Sequence, residues 1–287
     1  FYIIFWALVF VSSIILLGYR KDKNLNKVDV IQIVFIYCVT YLILTYIGGI
    51  AVGYYKNLYS LNFIKIIENI FPLLILIILE ELVRYNIISK DANKFVIFLL
   101  IMLFVSFDIL TQYNAYNLST PSGIFELIGY LILPSIITNA LLTFMTEKSG
   151  YLPSITYRII LELYIYLVPI IPDYGVYIQS LLNIIFPLIM FLKINTIYAK
   201  ETYKARTPKR FVSIIITIPL MCILIALVGL ISGVFSYYMM AIASNSMVPT
   251  FSRGDAVIVQ KIKTSEIENI EVGDIIVYYH DQKMIVH

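Results

Sequence analysis

The sequence predicts an α-helical polytopic membrane protein of about eight transmembrane helices, followed by a small, truncated β-rich domain outside the cytoplasm. Three observations carry this. The 287 residues are 60% hydrophobic and 14% charged, with a mean hydropathy of +0.88, whereas a soluble domain is nearer ~45–50% apolar and ~25% charged. The apolar residues gather in runs long enough to cross a bilayer. The lysines and arginines collect in alternate connections between those runs.

A helix needs roughly 20 apolar residues to cross a hydrocarbon core of about 30 Å. Residues 1–18, 30–53, 63–83, 95–111, 123–146, 151–171, 176–199 and 211–234 approximate that length; the fourth run is short and the sixth carries charges. One set of connections holds Arg20, Lys21, Lys23 and Lys27, then Arg84, Lys90 and Lys94, then Lys148, then Lys200, Lys204, Arg206, Lys209 and Arg210. These are thirteen positive residues, against Lys56 alone in 54–62, 112–122 and 172–175. Positive loops stay in the cytoplasm, so the chain from about residue 235 onward is expected outside it, making this a multi-pass cell-membrane protein with an extracytoplasmic C-terminal part.

Residues 1–210 thus form a multi-spanning domain, 211–238 a final anchor and 239–287 the β-rich part. The last apolar run, Phe211–Ala243, has 33 residues and as helix would reach about 50 Å, well beyond the hydrocarbon core. Its helix is expected to end near Ser232-Gly233, with Phe235, Tyr237 and Tyr238 as an interfacial aromatic belt and "MMAIA" extended. Beyond it, "GDAVIVQKI", "GDIIVYYH" and "KMIVH" read as strands, the first two opened by Gly-Asp turns; the polar stretch between the first two reads as a surface turn or short helix. Phe1 already lies in an apolar run and His287 ends a strand-like segment, so the chain reads as a fragment cut at both ends.

Composition also excludes several functions. Cys38 and Cys222 both lie in apolar runs and read as small hydrophobes, not a disulfide framework. No basic stripe interleaved with aromatics suggests nucleic acid. No metal or nucleotide is implied, because neither a ligand-spaced cluster nor a Gly-rich phosphate loop is present.

The chemistry-bearing stretch is "AIASNSMVPTFSRGD", residues 241–255. Pro249 removes a backbone donor and disfavours helix at Val248, and Gly254-Asp255 closes the loop with a turn. A serine in such a bend, between an extended segment and a strand, has its hydroxyl exposed and held. A nucleophilic serine also needs a base. The only two histidines, His280 and His287, lie in this polar part, as do Lys261, Lys263 and Lys283.

"SNSMVPTFSRGDAVIV" resembles the nucleophile box of type I signal peptidases, Ser-x-Ser-Met-x-Pro-Thr followed by Gly-Asp and a strand. "VGDIIVYYH" looks like the family's next strand, and "MIVH" like the box that supplies the base in its histidine-type members of the endoplasmic reticulum, archaea and some Gram-positive bacteria. The resemblance covers about 50 residues of 287. It implies Ser246 as nucleophile, His287 as general base, Ser244 with the Ser246 N–H as oxyanion donors, and Met247 beneath the substrate pocket. It further implies a membrane-bound serine endopeptidase that removes signal peptides from exported pre-proteins at the outer face of the membrane. Its partners would then be the pre-proteins, the lipid bilayer and the export machinery. Two features depart from the family: its members usually have one or two membrane anchors, not eight, and the acidic box that follows the base in the family is absent from these 287 residues. The rival reading is a polytopic transporter or assembly scaffold with a degenerate peptidase-like appendage.

Two polar features lie among the apolar runs. "EELVRY" comes within one residue of the Glu-Glu-x-x-x-Arg motif of CAAX-processing intramembrane proteases, but no histidine precedes His280; the simpler reading pairs Glu80 with Arg84 one turn away. Arg158 and Glu162 stand four apart and are expected to pair, since charges at membrane depth pair or line a cavity.

Overall fold

The computed structural model describes residues 2–22, 27–201, 237–262, 267, 270–280 and 283–286. Its elements are, in order, α1 (Tyr2–Leu17), α2 (Lys27–Val52), β1 (Tyr54–Lys56), α3 (Phe63–Lys90), α4 (Lys94–Gln112) and α5 (Pro121–Glu126). A π-helical segment (Leu127–Ile132) then leads into α6 (Leu133–Ser149), followed by α7 (Tyr151–Leu163), β2 (Ile170–Pro172), α8 (Gly175–Glu201), β3 (Tyr237–Ala241), β4 (Ala256–Gln260), β5 (Val277–His280) and β6 (Lys283–Val286).

Helices occupy seven of the eight predicted runs; the eighth, 211–234, lies outside the described residues. By length and composition four are apolar enough to cross a membrane: Lys27–Val52, Lys94–Ala115, Pro121–Ser149 and Gly175–Tyr198. Helix α1 is shorter, and α3 carries Glu68, Glu80, Glu81 and Arg84 along its length. The sixth run differs most from expectation. Helix α7 has 13 residues and stops at Leu163, about 20 Å at the usual rise, because the chain then turns through residues 164–169 into β2, which pairs with β1.

The chain divides into two compact units. The first comprises Phe1–Tyr41, Glu68–Leu163 and Gly175–Ile218. Its larger core sets Val30, Val34 and Cys38 of α2 against Leu141, Leu142 and Met145 of α6, Tyr157 of α7, and Phe186, Met190 and Ile194 of α8. The four-residue spacing within α2 and α8 places each trio on one face. A second core joins Trp6 to Val83, Ile88, Leu100 and Phe104, with the Trp6 and Phe104 rings stacked at 5.1 Å.

Between α3, α4, α6 and α7 runs a chain of polar contacts. Arg84, fully buried, donates to Glu81 from Nε at 3.0 Å, to Thr143 Oγ1 from Nη1 at 2.7 Å and to Asn139 Oδ1 from Nη2 at 2.8 Å, and lies over the Phe104 ring at 3.8 Å. Asn139 in turn donates to Asp108 at 2.9 Å. Arg158 donates to Glu162 at 2.6 Å, to Glu80, and to Glu81 at 3.3 Å. The expected Arg158–Glu162 pair forms, but Glu80 does not pair with Arg84: Arg84 takes Glu81 three residues back, and Glu80 is bound by Arg158 of α7.

The second unit comprises Leu42–Ile67, Tyr164–Tyr174 and Pro219–His287. Among its described residues are three two-stranded antiparallel sheets, β1–β2, β3–β4 and β5–β6. The strands expected after the two Gly-Asp turns and in "KMIVH" are β4, β5 and β6, and "MMAIA" is extended as β3 through Ala241. Tyr54, Val168, Ile170 and Ile171 form the unit's buried cluster, with Met239, Ala241 and Ala256 packed against it.

Removing one partner of a buried ion pair strands the other charge, at about 3–5 kcal/mol. Arg84→Met is therefore expected to lower the thermal unfolding temperature of the detergent-solubilised protein sharply. Lys148→Ala, which breaks an exposed pair with Glu147, should cost no more than about 1 kcal/mol. Equal shifts for the two variants would contradict the buried network.

Candidate active site

Strands β3 and β4 pair from Tyr237↔Gln260 to Ala241↔Ala256, and the loop between them, 242–255, carries Ser244, Ser246 and Met247. The ladder continues past the strands: Ile242 N–H donates to Asp255 O at 2.8 Å and Gly254 N–H to Ile242 O at 2.9 Å. The two ends of the loop are thereby closed on each other.

Within the loop most backbone donors have named acceptors. Val248 N–H donates to Asn245 O at 3.3 Å, and Met247 O accepts from Thr250 N–H at 2.8 Å and Phe251 N–H at 3.1 Å. Asn245 Oδ1 accepts from Arg253 N–H at 2.7 Å, tying the residue between the two serines to the far side of the loop. The Val248–Pro249 peptide is cis.

The closing turn has a twin. Asp255 N–H donates to Ser252 O at 3.1 Å while its carboxylate accepts from Ser252 N–H at 2.7 Å. Asp274 does the same with Glu271, at 3.1 and 3.0 Å. Gly254 and Gly273 sit at the third position with φ of 99° and 112°, the left-handed region that a type II turn requires there and that glycine enters without penalty. The Gly-Asp pairs seen in the sequence are thus two copies of one device: glycine turns the chain and aspartate locks the turn before the strand.

This frame brings two of the predicted site residues together. Ser244 Oγ and Ser246 Oγ are 3.1 Å apart and both residues are exposed. Met247 is half-buried, and its carbonyl anchors the next turn. His287 lies outside the described residues. His280 ends β5, where it pairs in register with Lys283 of β6. Two hydroxyls within hydrogen-bond distance on an exposed, internally bonded loop can present one oxygen for attack and a second as donor. Among the described residues, no group of three or more His, Cys, Asp or Glu is placed to hold a metal ion.

The surroundings are apolar on one side. A cavity of about 660 Å³ in the second unit is walled by Ile43, Ile47 and Ile50 near the end of α2, and by Met239, Phe251 and Ile258 of the β3–β4 hairpin. Sequence reasoning missed the groups that hold the loop. Asn245 and Arg253 cross it, and the Gly53–Tyr54 peptide meets it from β1, with Tyr54 N–H donating to Gly254 O at 2.8 Å. The signal for Asn245 was local, an amide standing between the two serines; for Gly53 and Tyr54 there was none.

Comparison with known proteins bears on this part of the chain. No curated protein and no solved structure matches it. Residues 196–285 match the family described as signal peptidase, peptidase S26, a stretch that takes in Ser244, Ser246 and Met247 and supports a type I signal peptidase domain there.

Proposed function

We propose that the protein is a membrane-bound serine endopeptidase that removes N-terminal signal peptides from exported pre-proteins at the outer face of the membrane. The observation that carries this is the pair of hydroxyls 3.1 Å apart within a stretch similar to signal peptidases. Ser246 is the nucleophile and His287 the histidine-type base. The base takes the Oγ proton, the alkoxide attacks the scissile carbonyl, and the tetrahedral oxyanion is held by the Ser246 N–H and the Ser244 hydroxyl. The protonated base then gives its proton to the leaving amine, and water repeats the sequence on the acyl-enzyme. Met247 packs under the residue before the cut, and the substrate lies extended along a strand edge. The apolar cavity, which shares Phe251 and Gly254 with the serine loop, suits a substrate whose leader is apolar.

Charge and pairing together support this location. Thirteen lysines and arginines fall on one side of an eight-span arrangement, and positive loops stay inside. Strand β1 belongs to the predicted outer connection 54–62, β2 adjoins the outer connection at 172–175, and β3 follows the last span. That β1 pairs with β2 and that both bound the cluster on which β3 packs supports one common side for all three.

In the full-length protein with a pre-protein substrate, Ser246→Ala and His287→Ala are each expected to abolish cleavage, and Lys283→Ala to leave most of it. Ser244→Ala, which removes one oxyanion donor, should lower kcat by about 10²–10³-fold. Normal processing by the Ser246 or His287 variant would sink the assignment and favour a scaffold carrying a degenerate peptidase-like part.

The topology is tested by single cysteines in a cysteine-free background. Leu58→Cys and Ser119→Cys should react with a membrane-impermeant maleimide in intact cells, and Asp91→Cys only after permeabilisation. All three residues are exposed, so protection reports sidedness rather than burial. Labelling of Asp91→Cys from outside would overturn the orientation.

A further inference from the structure

A single anchoring helix is enough to keep a peptidase at a membrane, so the contacts between the serine loop and an earlier part of the chain call for a role. The peptide unit joining Gly53 to Tyr54 is bound on both sides. Its carbonyl accepts from Asp173 N–H at 2.9 Å, and its N–H donates to Gly254 O at 2.8 Å. Gly53 has φ of 90°, and a Cβ placed on it would lie 3.4 Å from the Gly254 Cα and carbonyl oxygen; the two backbones touch with no side chain between them.

The two-stranded β1–β2 sheet that presents this peptide is itself well tied. Asn57 Nδ2 donates to Val168 O at 2.7 Å and to Ile165 O, Asn57 N–H donates to Pro169 O at 2.8 Å, and Tyr46 Oη donates to Ile170 O at 2.8 Å. From Gly254 the link continues into the site: Arg253 N–H reaches Asn245 Oδ1, and Asn245 separates Ser244 from Ser246.

We propose that the two-stranded β1–β2 sheet is a positioning element for cleavage, its Gly53–Tyr54 peptide fixing Gly254 and through it the loop that carries both serines. The polytopic part then contributes to the chemical step and not only to anchoring. This rests on Ser246 being the nucleophile. A serine displaced by about 1 Å from its attacking geometry loses on the order of 10²-fold in rate, and the loop's own bonds do not fix its orientation relative to the bilayer or to a base on another strand.

The test uses the full-length protein in detergent and three variants. Tyr54→Pro removes the N–H that reaches Gly254. Gly53→Val forces a side chain onto the Gly254 backbone. Leu58→Ala, at a residue that is almost fully exposed, is the control. Amide hydrogen exchange is followed across residues 242–255 and, as a check on folding, across α6; steady-state cleavage of a pre-protein is followed in parallel. The expected result is faster exchange across 242–255 but not α6, and a fall in kcat of about 10²-fold with little change in KM, for Tyr54→Pro and Gly53→Val only. Should Tyr54→Pro fail to fold, Gly53→Val decides. Unchanged exchange across 242–255 overturns the proposal, as does faster exchange with unchanged kcat, and both leave Ser246 as nucleophile. Undiminished cleavage by Ser246→Ala removes the nucleophile assignment instead, and the catalytic role of the β1–β2 sheet falls with it.

Discussion

The second unit depends on one peptide group. Helix α2 ends where Gly53 N–H donates to Gly49 O, and the positive φ of Gly53 turns the chain out of the helix into β1. The same residue's peptide bonds to the β2 side through its carbonyl and to the serine loop through its N–H. A loop of 14 residues closed only at its base keeps many conformations, each residue fixed costing about 1–2 kcal/mol of entropy. Bonds across the loop by Asn245 and Asp255, and the one from Tyr54, offset part of that cost by favouring the one conformation in which they form. Burial of Tyr54, Val168, Ile170 and Ile171 supplies free energy that holds the β1–β2 sheet together.

A different constraint governs the first unit. Inside a bilayer there is little hydrophobic drive between helices, and polar groups must find partners within the protein. Glu80, Glu81, Arg84, Asn139 and Thr143 are all buried, and each has a hydrogen-bond partner in the network joining α3, α6 and α7. Such a network adds little net stability compared with apolar packing, but it penalises every arrangement that breaks it. It therefore selects one packing of α3 against α6 and α7 from the many that apolar faces alone would allow.

How much of this was legible in the sequence follows from the range of the signals. Apolar runs, the Gly-Asp turns and the Ser-Asn-Ser-Met-Val-Pro-Thr stretch are local, and the helices, the strands β4 to β6 and the proximity of Ser244 to Ser246 follow from them. The choice of Glu81 over Glu80 as the partner of Arg84 was not legible, because positions three and four residues back both face it and Arg158, about 75 residues away, decides between them. The early end of α7 escaped for the same reason: "LVPII" is apolar enough to continue a span, and only its pairing with Tyr54–Lys56 makes it extended. Asn57 and Gly53 act through partners more than 100 residues distant, so a single sequence holds no pattern that joins them.

The distance between the two hydroxyls also constrains how the proposed mechanism can run. At 3.1 Å one hydroxyl donates and the other accepts, and either assignment satisfies the resting loop. Attack requires the Ser246 proton to point at the base, which leaves Ser244 as the donor in the pair. Its hydrogen bond then faces an oxygen that gains negative charge, and a charge-assisted bond is roughly twice as strong as a neutral one. Once Ser246 Oγ has bonded to the substrate carbon, that oxygen is a poor acceptor and the charge has moved to the former carbonyl oxygen. The Ser244 O–H is released to follow it by rotation about one bond, while Asn245, tied through its side chain to Arg253, keeps the intervening backbone still. One small hydroxyl can thus serve the nucleophile first and the oxyanion second, provided the loop does not move between the two steps. Rigidity of the loop is for that reason part of the proposed chemistry, and the backbone bond from Tyr54 to Gly254 is where an earlier part of the chain can supply it.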